Sequence, residues 1–268
     1  MKSLVEVTAM VVLSVPYGEY DRRLVLLSRE KGKITVFAKG ARRSKSPLVA
    51  CTQPFVFGKF FLYPGKDAYS LSEFEAGEYF DGIGHRFEAT YYGFYFCEVA
   101  SYAAMENERA DAGLLLLFQT IRALEQGKVP DELICGIFLL RMMAVSGFVP
   151  ELHSCIFEGR REGVHFENGG VDLSKKEIIN FSITEGGILC PLCARTKLAG
   201  EKRMRLSSGT IYTMQYILGA DLRELYAFSV SQAVKKELYE VMQEYMKHHW
   251  GHSFRSYTLL REVLEKNS

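Results

Sequence analysis

The chain has 268 residues, 48% of them hydrophobic, and a formal net charge of +1 at pH 7. That length and apolar content suit two domain cores rather than a disordered or fibrous chain. No run of about eighteen uncharged apolar residues occurs, which speaks against a transmembrane helix. The opening MKSLVEVTAMVVLSV is a weak match to a signal peptide, because Glu6 interrupts a short apolar run and no small-residue cleavage site follows. A buried first strand and a cytoplasmic location are expected instead. Cys51, Cys97 and Cys135 stand alone in apolar surroundings and are expected as buried reduced thiols.

The first eighty residues read as β-structure. Strands are expected at Leu4–Ser14, Leu24–Ser28, Ile34–Ala38, Phe55–Tyr63 and Ala68–Phe74, with turns at Glu30–Lys33 and Pro64–Lys66. Five strands with a longer connection after the third match a five-stranded OB-type β-barrel, although an SH3-like barrel has a similar strand count. Between Arg22 and Lys45 lie nine Lys or Arg and one acid, Glu30. Such a concentration in a nearly neutral chain points to a polyanionic partner. Lys31 and Lys33 flank one glycine turn. Lys39, Arg42, Arg43 and Lys45 fill the connection after the third strand. In a small barrel these loops can share a side, so all six are candidate phosphate contacts. Tyr17 and Tyr20, in the first interstrand loop, are candidates for stacking on bases. The alternating stripe Phe55, Phe57, Lys59, Phe61, Tyr63 is a weaker stacking candidate than a barrel-core one.

Acidic Glu73, Glu75, Glu78 and Asp81 mark a domain boundary, after which the period turns helical. Helices are expected at His85–Asn107, Ala110–Gln126 and Asp131–Gly147, with Asp131 capping the third. Regularity fails between Pro150 and about Leu206. Helices resume at Ser208–Leu218 and from a Ser229 cap to about His249. The fold class is therefore α+β and multidomain: a barrel at 1–80, an all-α domain from 81–149 and 204–268, and an insertion at 150–203 resembling a zinc finger.

Cys190-Pro-Leu-Cys193 is a knuckle that lets two thiolates converge on one tetrahedral metal, and Cys155 is the natural third ligand. A second CxxC would need cysteine at position 158, where Glu158 stands. The fourth ligand is left open between His153 and Glu158. His248, His249 and His252 sit at a helix end broken by Gly251, where basic side chains are favoured by the helix dipole alone. No phosphate-binding loop, metalloprotease motif or nucleophile elbow is present. Nothing in the sequence makes an enzyme of this chain.

Pro16-Tyr-Gly-Glu-Tyr-Asp-Arg-Arg23, Ser28-Arg-Glu-Lys-Gly-Lys33, Ala38-Lys-Gly-Ala-Arg-Arg-Ser-Lys-Ser46 and Gln53-Pro-Phe55 resemble the N-terminal domain of the RecO family of bacterial recombination mediators. Gly147–Pro150, Cys155, Gly187–Cys193 and Tyr245–Ser256 resemble that family's later regions. The resemblance implies an OB domain, a helical domain and an insertion holding one structural Zn2+, with Glu158 departing from the usual four cysteines. It implies a non-enzymatic, nucleoid-associated role in DNA repair and recombination. Such proteins bind single- and double-stranded DNA, anneal complementary strands and act with RecR. They also bind the C-terminal tail of single-stranded DNA-binding protein and help load RecA. The other class that the sequence allows is a protein-docking adaptor, its helical domain the main surface and its DNA binding weak.

Overall fold

The structure, a computed structural model, describes residues 3–157, 171–173, 177–195 and 201–267. The first strand, β1 (Val5–Tyr17), is long because it has two partners. Its first half pairs antiparallel with β4 (Phe57–Pro64), from Val5↔Leu62 to Met10↔Phe57. Its second half pairs with β2 (Asp21–Ser28), from Ala9↔Ser28 to Tyr17↔Asp21, across a bulge between Val11 and Leu13. β2 continues antiparallel into β3 (Gly32–Ala38), and β4 into β5 (Tyr69–Glu78). A short parallel pairing, Val36↔Tyr69 and Phe37↔Ser70, closes the barrel in the order β1-β2-β3-β5-β4. This is the five-stranded OB arrangement.

Strand alternation decides what fills the barrel. Val7, Ala9, Val11, Leu24, Leu26, Ile34, Val36, Phe60 and Leu62 point inward and are buried. A four-residue helix absent from the sequence expectation, α1 (Leu48–Cys51), adds Cys51 to this core from the β3–β4 connection. Burial pushes the Cys51 thiol up to about 11, so it stays protonated.

By its internal contacts the structure falls into two compact units, the first of which runs past the barrel to Lys128. The first unit joins the barrel to α2 (Phe87–Ala103), α3 (Asp111–Gln126) and α8 (Arg255–Asn267). The reason is hydrophobic. β4 turns Phe57 outward, and its ring packs on Phe118 of α3 at 4.7 Å between centroids. The helix α8, where the sequence suggested only a tail, starts on Glu98 of α2. That carboxylate accepts from the backbone N–H of Arg255 at 3.3 Å and of Ser256 at 2.8 Å. Tyr257 then packs on Tyr95 at 5.1 Å.

The second unit holds α4 (Asp131–Val145), α6 (Ser208–Gly219) and α7 (Gln232–Trp250). It also holds an antiparallel sheet of β6 (Ile178–Ser182), β7 (Gly187–Leu189) and β8 (Arg203–Ser207), with β6 central. The one-turn α5 (Pro191–Arg195) follows β7. Strands of three to five residues leave too short a period to stand out in sequence. Two expected caps move. Pro130 holds the position before α4, with Asp131 already helical. Ser231, not Ser229, caps α7, its hydroxyl accepting from the Val234 N–H at 3.3 Å. Gly251 ends α7 in the left-handed conformation, as expected.

Gly32 and Gly18 both have positive φ, but only Gly32 is enclosed. A Cβ there would lie 2.0 Å from the Met105 carbonyl oxygen, whereas nothing lies within 4 Å at Gly18. Gly18→Ala should cost about 1 kcal/mol, the conformational term alone. Gly32→Ala should cost upwards of about 2 kcal/mol, because a backbone contact must also open. Urea unfolding of the two variants checks the difference.

Candidate nucleic-acid interface and metal centre

The β1–β2 turn and the start of the β3–β4 connection are stitched together at one end of the barrel. The Arg42 backbone N–H donates to the Tyr20 carbonyl at 2.8 Å. Its guanidinium donates to the carbonyls of Gly18 and Glu19 at 3.3 and 3.2 Å. Asp21 accepts from the Gly40 N–H at 2.7 Å, which occupies that acid, while the Glu19 side chain sits beside the Tyr20 hydroxyl. The Arg43 guanidinium lies over the Tyr20 ring, 5.2 Å from its centroid. Tyr17, exposed, rests on Phe37 at 4.8 Å. Phe37 in turn faces Arg23 across the β2–β3 ladder. Lys39, Arg42, Arg43 and Lys45 are exposed, and neither they nor Arg23 enters an ion pair among the described residues. Unpaired cations on low-dielectric backing project a field that a salt-bridged surface lacks. Arg23 and Phe37 were missed in the sequence; the alternation of β2 and β3 puts both on the outer face.

The register separates Lys31 and Lys33 from this cluster. Arg22 pairs with Ala38 at one end of the hairpin and Ser28 with Gly32 at the other. Six steps of about 3.3 Å put roughly 20 Å between those ends. There the Lys31 carbonyl accepts from Asn107 N–H at 2.9 Å, and Lys33 N–H donates to the Met105 carbonyl at 3.3 Å. The six cations expected on one side therefore divide four and two.

The aromatic stripe of β4 faces elsewhere again. Lys59 lies 3.8 Å from Glu6 and 3.5 Å from Glu75, and Phe61 is paired with Glu73. A phosphate backbone is repelled from such a surface. Val56, Gly58, Phe60 and Leu62 face the barrel interior, as strand alternation dictates.

In the second unit the chain brings Cys155, Cys190 and Cys193 together, all buried, with their sulfur atoms within 4.8 Å of one another. Backbone pairing does this. Ile188 N–H donates to the Glu151 carbonyl at 3.0 Å and Ile156 N–H to the Ile188 carbonyl at 3.1 Å, which lays the Cys155 segment beside β7. The knuckle then turns into α5, where Cys193 N–H donates to the Cys190 sulfur at 3.4 Å. Arg203 donates to the Ala194 carbonyl at 2.6 Å and fixes the far side. Phe157, Leu189 and Ile156 wrap the group in apolar surface. Burial first, then the neighbouring Cys190 and Cys155, pushes the Cys193 thiol up to about 12. Three crowded thiols resist ionising together unless a cation sits among them. Tetrahedral zinc–sulfur bonds of about 2.3 Å hold sulfurs about 3.8 Å apart, so this donor set fits such an ion. His153 is not part of the group: its Nδ1 lies 3.3 Å from the Gln215 side-chain nitrogen. Glu158, the other expected fourth ligand, lies outside the described residues.

The histidine cluster is structural. His249 Nε2 donates to the Ile183 carbonyl at 2.9 Å, and its ring packs on Tyr245 at 4.3 Å. Burial lowers its pKa from 6.5.

A five-stranded OB barrel with one cationic end, helices packed on it, and a second helical unit carrying a buried three-cysteine knuckle define the class. The comparisons with known proteins agree. The Recombination protein O N terminal family matches residues 1–80, and the Recombination protein O C terminal family residues 84–258. DNA repair protein RecO of Acetivibrio thermocellus is 30% identical over 240 residues, covering 90% of this chain and 89% of that protein. The protein of the same name from Symbiobacterium thermophilum is 30% identical over 244 residues, covering 91% of each. That from Listeria monocytogenes is 28% identical over 254 residues, covering 95% and 92%. The chain belongs to the RecO family of DNA repair proteins.

Elemental analysis of protein purified without chelator should find about one zinc per chain, and Cys190→Ser should lower it severalfold. The lowered pKa of His249 means that its contribution is complete above pH 6.5 and is lost as pH falls through the folded-state value. Urea midpoints at pH 7.5 and 5.5 should fall for the native chain and fall less for His249→Gln.

Proposed function

We propose that this chain is a recombination mediator that acts by binding, without catalysis. It engages single- and double-stranded DNA through the cationic end of the barrel, around Lys39, Arg42, Arg43, Lys45 and Arg23. The observation that carries the reading is that these cations are unpaired and surround two exposed tyrosines whose loops are already stitched in place. Phosphates meet the cations, and bases can stack on Tyr17 and Tyr20. Neutralising one backbone lowers its repulsion for a complementary strand, so annealing follows from charge screening alone. The surface is prepared before DNA arrives, so little ordering entropy opposes binding.

Membership of the family supports a setting in repair with RecR, single-stranded DNA-binding protein and RecA. Partner docking falls to the second unit on this reading. There Tyr212, Tyr216, Phe228, Val230 and Val234 line an apolar groove of about 440 Å³ at the first turn of α7. Backbone N–H groups at that turn favour a carboxylate, which suits the acidic, hydrophobic tail of single-stranded DNA-binding protein. The groove also gives the adaptor function a place in the same molecule as DNA binding. A cytoplasmic, nucleoid-associated location goes with the reading, and no helix among the described residues is long and apolar enough to cross a membrane.

Five phosphates neutralised on a single strand give a log–log salt slope of about −3.5. Arg42→Glu with Arg43→Glu should weaken binding by at least an order of magnitude on every sequence and flatten that slope by about 1.4. Anisotropy titrations across salt concentrations read both. Unchanged binding at moderate salt would remove the barrel end from the DNA contact.

A further inference from the structure

A pocket of about 170 Å³ opens beside β3, away from the cationic end. Lys33 and Thr35 of β3 form one wall, the β4–β5 turn with Lys66, Asp67 and Tyr69 a second, and Glu106 with Asn107 from the α2–α3 connection a third. Backbone contacts hold these walls. Gly32 bridges Glu106, Asn107 N–H donates to the Lys31 carbonyl at 2.9 Å, and Gly65 N–H donates to the Ala68 carbonyl at 2.8 Å. Two cations and two carboxylates thus line one small space. None of the four makes an ion pair or a side-chain hydrogen bond among the described residues.

Four charged residues that line a pocket without pairing leave donors and acceptors available to whatever enters. Their balance excludes a phosphate, which would meet as many carboxylates as ammonium groups. A neutral group with donors on one edge and acceptors on the other is matched. Among DNA bases guanine has that pattern most fully: O6 and N7 accept side by side, and N1–H with N2–H₂ donates side by side. Lysine suits the first edge, and a carboxylate with two oxygens suits the second. The pocket also lies along the outer face of β3 that leads from the cationic end. Lys33, Thr35 and Phe37 alternate on the outer face of β3, and Phe37 supports Tyr17 at the cationic end. From Phe37 to Lys33 is about 13 Å, roughly four stacked nucleotides.

We infer that this pocket takes one guanine of a single strand whose phosphates are held at the cationic end. It gives an otherwise sequence-independent binder a base preference at one position. The inference rests on the reading of the barrel as the DNA contact.

The test is anisotropy of fluorescent dT15 carrying a single dG, or a single dA, at successive positions. A dG at one register should bind about fivefold tighter than dT or dA there, the weak end of a bidentate contact. Glu106→Gln with Lys66→Gln, both at exposed positions, should remove that preference and leave dT15 affinity within about twofold. Equal affinity for all the oligonucleotides overturns the inference and leaves the cationic end standing. A preference that survives the double substitution also overturns it, by placing base reading elsewhere. A native chain that binds no dT15 overturns the cationic-end reading and this inference together.

Discussion

Everything in the first unit depends on one strand hydrogen-bonding on both edges. β1 gives its first half to β4 and its second to β2, and the bulge between Val11 and Leu13 lets it bend from one to the other. The bend closes the barrel and leaves no long edge for a neighbouring chain to pair with. It also sets direction. Because β1 ends at Tyr17, the tight turn to Asp21 falls beside the exit of β3, and the two basic loops meet. Without the bulge, the residues after Val11 would present the opposite face, and Leu13 would turn inward in place of Ser14.

Charge is then sorted by strand parity and register rather than by sequence proximity. Arg23 and Lys33 lie on the same hairpin face but near opposite ends of it. At one end Asp21 is taken up by a backbone N–H and Glu19 sits beside the Tyr20 hydroxyl, so neither pairs with a cation there among the described residues. At the other, Glu30 pairs with Arg29, and Glu106 and Asp67 offset the lysines. Across the barrel, Glu6 and Glu75 flank Lys59, and Glu73 stands opposite Phe61. A chain with almost no net charge can therefore carry a strongly polar barrel, and the field that meets a partner is a property of the fold.

Much of this was legible beforehand. Alternation located all five strands, and turn chemistry located the Gly32 and Gly65 turns. The CxxC spacing with Cys155 named the three thiols that do come together. What was not legible needed tertiary pairing. The strands of the cysteine-bearing sheet are too short to show a period, and they exist because Glu151–Ile156 lies along β7. The separation of Lys31 and Lys33 from the other cations follows from hairpin length, which is readable, but its meaning requires knowing that the α2–α3 connection docks on that turn. His153 was a plausible ligand by spacing alone; Gln215, 62 residues away, holds its ring. Helix α8 was hidden because its start is fixed by Glu98, a residue 158 positions before Ser256.

That last contact affects how the chain is made as well as how it is held. The first unit is discontinuous: residues up to Lys128 need α8, and the whole of the second unit lies between them in the sequence. During synthesis the barrel, α2 and α3 emerge before the second unit, with Tyr95 and Glu98 waiting for a helix made after it. The second unit can fold in the interval as a closed loop of chain. Order of birth and order of completion are thus reversed: the unit begun before its neighbour is finished after it.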